Sequence, residues 1–156
     1  GKSRMGIPRA IIRTISLFLR GKVHFDRSKI GKQLHMPDGK CFRIFRRVRV
    51  VSGRGEPQVW FWVRFKPARM SATANIRFSL LPMMVMLGFK GFRSKVWGVD
   101  EDGMCQGLYE WQTVEDAQAY ARSVAMRFMS DRSEPDSVSW GIVDKGKENL
   151  TFTVTD

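Results

Sequence analysis

Several things are scarce in this chain of 156 residues, and each shortage excludes something. Two cysteines, Cys41 and Cys105, are too few for a disulfide scaffold or a four-cysteine zinc site. Both read as reduced, packed thiols, which places the chain in a reducing, cytoplasmic setting. Its two histidines, His24 and His35, have no cysteine or acid cluster beside them, so no metal site is expected. No histidine lies in residues 57–156, which leaves that stretch without a histidine general base or haem ligand. No apolar run approaches the ~18 residues a membrane span needs. There is no P-loop, dinucleotide fingerprint, nucleophile elbow or two-histidine metal motif, and no cofactor is implied. An acidic turn, Asp100-Glu101-Asp102-Gly103, lacks the alternating ligands and distal Glu of a calcium loop and reads as a solvated turn.

Acidic charge is scarce where it matters most. Residues 1–56 carry fifteen Lys/Arg against three acids, whereas residues 57–156 carry twelve of each, so the net +12 belongs to the first third. That asymmetry divides the chain into a basic extension, 1–56, and a neutral body, 57–156. The opening Gly1–Arg4 reads as native sequence or as an expression scar, with both open.

Pro8 suits a first helical position, and Gly21 ends the pattern, which predicts a helix over 8–20. At a helical step Ile11, Ile12, Ile15, Phe18 and Leu19 fall within an arc of about 120°, with Arg9, Arg13 and Arg20 together on the other flank. Three uses compete for this basic amphipathic helix. Its isoleucines pack on the domain with the arginines in water, or it lies in an anionic membrane interface, or it contacts phosphate backbones. Nucleic acid is the weakest of these, because no finger, RNP or glycine-clamp signature accompanies the charge.

A hairpin is expected over about 33–51, around Pro37-Asp38-Gly39. Simple alternation along its second arm puts Phe42, Ile44, Val48 and Val50 on one side, Arg43, Arg47 and Arg49 on the other, and leaves Arg46 misplaced among the apolar set. Gly53–Pro57 reads as a linker.

In the body, Val59–Lys66 alternates strictly and is a strand with phenylalanines on one side and tryptophans on the other. Residues 71–87 predict a Met- and Leu-rich helix, broken or restarted near Pro82. Phe92–Val99 and Cys105–Gln112 are two strands around the acidic turn. Thr113 caps a helix that runs to about Asp131, and Ser137–Val143 and Leu150–Val154 close the chain as strands. The order β-α-β-β-α-β predicts an α+β, ferredoxin-like sandwich. Its helices cover one sheet face. The other face, aromatic as well, calls for a cover, and a second copy of the chain is the economical one.

Three segments carry a family likeness: Gly91-Phe92-Arg93-Ser94-Lys95-Val96-Trp97, Gly107-Leu108-Tyr109-Glu110-Trp111 and Glu115-Asp116-Ala117-Gln118-Ala119-Tyr120. Over about residues 58–143 the chain resembles the YdhR-type monooxygenases, within the antibiotic-biosynthesis-monooxygenase-like dimeric α+β barrels. Lys90 departs from the pattern, which often has Pro before Gly-Phe. The resemblance implies a homodimer with facing sheets and an apolar pocket between sheet and helices. It also implies, for several members, oxidation of polycyclic or phenolic molecules by dioxygen without metal or flavin.

Such chemistry needs a water-poor pocket with a few donors. Trp97 and Trp111 are candidate walls, Tyr109 a polar tip, and Arg93 or Lys95 the cation that steadies a substrate anion. Alternation puts Arg93, Lys95 and Trp97 on one strand face. The plainer alternative makes the aromatics core or dimer interface, and leaves the cations solvated or paired with Glu110 or Asp116. Two functions are therefore carried forward. One is a barrel that binds a small apolar or aromatic molecule and acts as a cofactor-independent monooxygenase. The other is a non-enzymatic peripheral module that meets anionic lipid through Arg9, Arg13 and Arg20.

Overall fold

The computed structural model describes residues 6–51 and 55–156. The opening Gly1–Arg4 and part of the expected 53–57 linker lie outside the described residues. In chain order the elements are α1 (Ile7–Leu19), β1 (Val23–Phe25), β2 (Gln33–His35), β3 (Cys41–Val50) and β4 (Val59–Phe65). There follow α2 (Ala72–Phe78), α3 (Leu80–Met86), β5 (Phe92–Val99), β6 (Cys105–Trp111), α4 (Val114–Ala121), α5 (Val124–Asp131), β7 (Ser139–Asp144) and β8 (Thr153–Thr155).

From Val59 onward the strands pair in the order β7-β4-β6-β5, which is the ferredoxin-like arrangement. Every pairing is antiparallel. The sheet does not stop at β5. It continues through β3 and β2 to β8, because β3 hydrogen-bonds along β5 from Arg43↔Val99 to Arg49↔Ser94. One sheet thus runs through the basic first third and the neutral body.

Both helices expected in the body are broken where a serine offers an alternative partner. Ser79 separates α2 from α3, its hydroxyl turned back onto Ile76 O at 2.7 Å. Pro82 then falls in the first turn of α3, where a missing N–H costs little. Ser123 ends the helix that Thr113 begins and caps the next, accepting from Met126 N. The helices cover the sheet face that carries Val59, Phe61, Val63, Tyr109 and Trp111, all buried.

The opposite face is covered from within the chain. The sheet curls, so that Asp38 in the β2–β3 turn pairs with Arg64 on β4, three strands away in sheet order. Leu34, Met36, Phe42, Ile44 and Leu108 fill the hollow, with Trp60, Trp62, Leu150 and Phe152 packed against them. Phe152 meets Trp60 edge-on at 5.2 Å. Residues of the first third and of the C-terminal segment thus lie on this aromatic face, for which the sequence suggests a second copy as the economical cover.

Two β-bulges change which side chains share a face. One lies between Ile44 and Arg46 on β3, the other between Phe92 and Ser94 on β5. A bulge inserts one residue and reverses the alternation beyond it. Phe42 and Ile44 therefore point into the hollow, while Val48 and Val50 join the helix-covered core. The four apolar residues that simple alternation groups together are split between two clusters. Arg46, the misfit of that pattern, is carried to the helix side.

Helix α1 docks by its small residues. Ala10, Thr14 and Leu17 are its buried positions, and Thr14 Oγ1 lies 2.5 Å from Met84 O of α3. The approach is close enough that a Cβ on Gly88 would stand 1.9 Å from Ala10 O. Gly21, at φ +66°, ends the helix with paired bonds from Gly21 N to Phe18 O and from Lys22 N to Leu17 O.

Candidate functional site

A cavity of about 70 Å³ lies between the sheet and helices α2, α3 and α5. Lys95, Trp97, Gly107 and Tyr109 line it from the sheet, and Asn75, Phe78, Met126 and Phe128 from the helices. Lys95 sits opposite Val48 and Tyr109 in the strand register, and Gly107 leaves room for it. A Cβ at 107 would stand 2.8 Å from Lys95 Cε and from the Tyr109 ring.

Lys95 is the unusual group of the cavity. Its Nζ lies 4.4 Å from the ring centroids of both Trp97 and Tyr109, and among the described residues no carboxylate pairs with it. Its side chain is partly buried and lines the cavity. Burial drives its amine well below the usual lysine value of 10.5, and the charge of Arg46 adds to the effect. A shift in this direction makes the neutral amine, which is a base, easier to reach than for a lysine in water.

Arg46 supplies fixed charge nearby. Its guanidinium donates to Ser79 Oγ at 2.9 Å and to Ile76 O at 3.0 Å, and it lies 4.9 Å over the Trp97 ring. The helix break at Ser79 thus provides the acceptors that hold this arginine. Trp97 separates or stacks on both cations, which is the arrangement that aromatic faces favour.

Tyr109 and Tyr120 place their hydroxyls 3.3 Å apart in the buried core. Burial raises both phenols, Tyr120 to about 12 and Tyr109 well above 10.0. Both therefore stay protonated. Whichever hydroxyl accepts from the other keeps its own proton for a ligand. Cys105 also lines the cavity, and its thiol accepts from Asn75 Nδ2 at 3.3 Å. Burial pushes that thiol up to about 12, so it is a packed group and no nucleophile.

Of the five pocket residues expected from sequence, Lys95, Trp97 and Tyr109 meet at the cavity. Trp111 stands behind them, wholly buried, 5.0 Å from the Tyr120 ring and stacked with Tyr109 at 6.2 Å. Arg93 is turned away by the bulge next to it. Its Nη1 bonds Gln112 Oε1 at 2.8 Å and also Gly55 O, and it lines a separate surface groove. Glu110, a possible partner for the cations, instead takes Lys145 at 2.6 Å and the Ser94 hydroxyl at 2.7 Å. Sequence reasoning missed Arg46 and Asn75. Arg46 did leave a trace, as the one charge in an apolar alternation. Asn75 left none. Arg9, Arg13 and Arg20, the expected lipid contacts, are all exposed on α1.

No protein-family model and no curated protein matches the chain. Among solved structures it is similar to a protein described as anthrone oxidase-like, with TM-score 0.47 and 12% identity, over 70% of this chain and 58% of the other. A conserved protein from Methanosarcina mazei Go1 gives TM-score 0.48 and 9% identity, over 59% of this chain and 96% of the other. A "putative monooxygenase" from Lactobacillus acidophilus NCFM gives TM-score 0.44 and 9% identity, over 95% and 88%. The chain spans little more than half of the first of these. At such scores none of the likenesses carries an argument about what this chain does.

Proposed function

We propose that the cavity binds the reacting edge of a small aromatic or phenolic molecule and that the protein oxidises it with dioxygen, without metal or flavin. One observation carries this reading: an amine without an ionic partner, disposed by burial to be neutral, aimed into an apolar cavity beside two protonated phenols. Lys95 takes a proton from an activated ring carbon or hydroxyl of the substrate. Arg46 and the free hydroxyl of the Tyr109–Tyr120 pair steady the anion that results.

For a ring methylene activated by a carbonyl of the same ring the balance is complete with dioxygen alone. The carbanion and dioxygen form a C–O bond, and the peroxide takes up a proton from the lysine ammonium. The O–O bond then breaks with loss of the second C–H proton, giving a carbonyl and one water. Dioxygen is the oxidant, the substrate carbon supplies the electrons, and Lys95 ends as it began.

Size limits the substrate. An engineered cavity of about 150 Å³ holds one benzene, so about half that volume admits an edge and not a whole ring. The remainder of the molecule would rest against Met70, Phe78 and Phe128, which also line the cavity. Oxygen uptake with a panel of hydroquinones and anthrone-like ketones is the test. Uptake that disappears in Lys95→Met, together with a ligand-induced rise in Tm, is the expected outcome. No uptake and no Tm shift with any of the panel would remove the reading.

A further inference from the structure

Helix α1 presents its larger apolar face to water. Ile7, Ile11, Ile12, Ile15, Phe18 and Leu19 are all exposed, Ile12 at 68% and Leu19 at 83%, although the helix is docked on α3 through Ala10 and Thr14. Phe25, itself 45% exposed, stacks on Phe18 with ring centroids 6.4 Å apart and extends the patch beyond the helix. A contiguous apolar strip of this kind marks a contact surface.

Charge beside the strip states what kind of contact. Arg9, Arg13 and Arg20 line one flank of α1, and the helix contains no acid. On that flank a groove of about 420 Å³ opens between α1 and the ends of β3, β5 and β6. Arg13, Arg20, Lys22, Lys90 and Arg93 line it, with Asp116 the one carboxylate among them. Apolar side chains on one arc, arginines along its margin and a cationic groove beyond it are the three layers met by a helix lying flat in an anionic bilayer. The isoleucines reach the acyl boundary, the arginines the headgroup plane, and the groove the phosphates. A second copy of the chain would have to set the same five cations against their own symmetry mates, which charge opposes.

We infer that α1 and its flanking groove form a peripheral docking surface for an anionic lipid bilayer, with the helix in the plane of the interface. This goes beyond the cavity chemistry and does not depend on it. No helix among the described residues is long and apolar enough to cross a membrane, so the contact is with one leaflet.

Full-length protein is sedimented with vesicles of phosphatidylcholine alone and of phosphatidylcholine with phosphatidylglycerol. The expected result is pelleting with the anionic vesicles only, weakening as salt rises. Ile12→Gln with Leu19→Gln alters two largely exposed positions and should cut partitioning by about tenfold or more at unchanged Tm. Arg13→Gln with Arg20→Gln should cut it by about tenfold and flatten the salt dependence. Equal pelleting with both vesicle types, or with neither, overturns the inference. So does a dimer in sedimentation equilibrium that Ile12→Gln with Leu19→Gln dissolves while vesicles are ignored, because the strip then belongs to a second copy.

Discussion

Replacing Lys95 by methionine should make this protein more stable and abolish the oxidation proposed for the cavity. Lys95 Nζ has two aromatic rings at 4.4 Å and no carboxylate among the described residues. Methionine has nearly the same length and volume and asks for no hydrogen bonds. Burying a polar group without a partner costs about 1–3 kcal/mol, so Lys95→Met should gain about that much at high pH, where the amine is neutral in both states. In a domain of this size each kcal/mol raises Tm by about 2–4 °C. The pH dependence separates this cause from ordinary repacking. Folded Lys95 lies well below 10.5 because burial disfavours its charge. Above 10.5 the amine is neutral in both states and ionisation contributes nothing to folding. As pH falls below 10.5 the unfolded chain takes up a proton that the folded chain refuses. Wild-type stability then declines relative to the variant by up to about 1.4 kcal/mol per pH unit. The gap between the two proteins should therefore be smallest at high pH and widen toward neutrality. Urea unfolding of both proteins across that range measures it. A variant that is less stable than wild type, or a gap that does not move with pH, would refute the reasoning.

Gly88→Ala should loosen α1, because the new Cβ would meet Ala10 O at 1.9 Å and backbone cannot step aside. A loss of about 1–3 kcal/mol in urea unfolding, with limited proteolysis cutting first around α1, is expected. Unchanged stability would mean that the helix is not docked there. Cys105 keeps its proton when folded, with a value near 12 against 9.0 for a free thiol, so stability should fall as pH rises from 9.0 toward 12 while the unfolded thiol ionises. A thiol reagent near neutral pH should label Cys41 in the native protein and Cys105 only after unfolding, and two native thiols reacting alike would count against the burial of Cys105.

What was legible in the sequence was whatever depends on short-range period. The strict alternation of Val59–Phe65 gave its strand and both of its faces, and the Thr113 cap gave the start of α4. The strand order β7-β4-β6-β5 followed from the order of elements. Long-range contacts were not legible. Nothing near Trp60 announces that Phe152, ninety-two positions away, will cover it. Bulges were the second loss. Neither has a glycine to mark it, and each moves one arginine to the wrong side of a paper strand: Arg93 out of the cavity, Arg46 toward it. Helix α1 was found by its isoleucines, yet it docks by Ala10 and Thr14, since close approach to Gly88 admits only small side chains.

The cavity's charge balance also bears on what it can hold. Lys95 and Arg46 share the Trp97 ring, and among the described residues no acid pairs with Lys95. Arg46 is held by Ser79 and Ile76, so the site resists a second cation on Lys95. A ligand that arrives neutral and becomes an anion changes that balance. Its negative charge lets Lys95 keep the proton it has just received, and the repulsion from Arg46 is offset at the same moment. Proton transfer is therefore favoured only when the donor's conjugate base stays beside both cations. The two protonated tyrosines add hydrogen-bond capacity without adding charge, which suits a developing phenolate or enolate oxygen and gives nothing to a carbocation. Under the proposed function, this arrangement would select acids of carbon or phenolic oxygen, ahead of any question about which oxidant they meet.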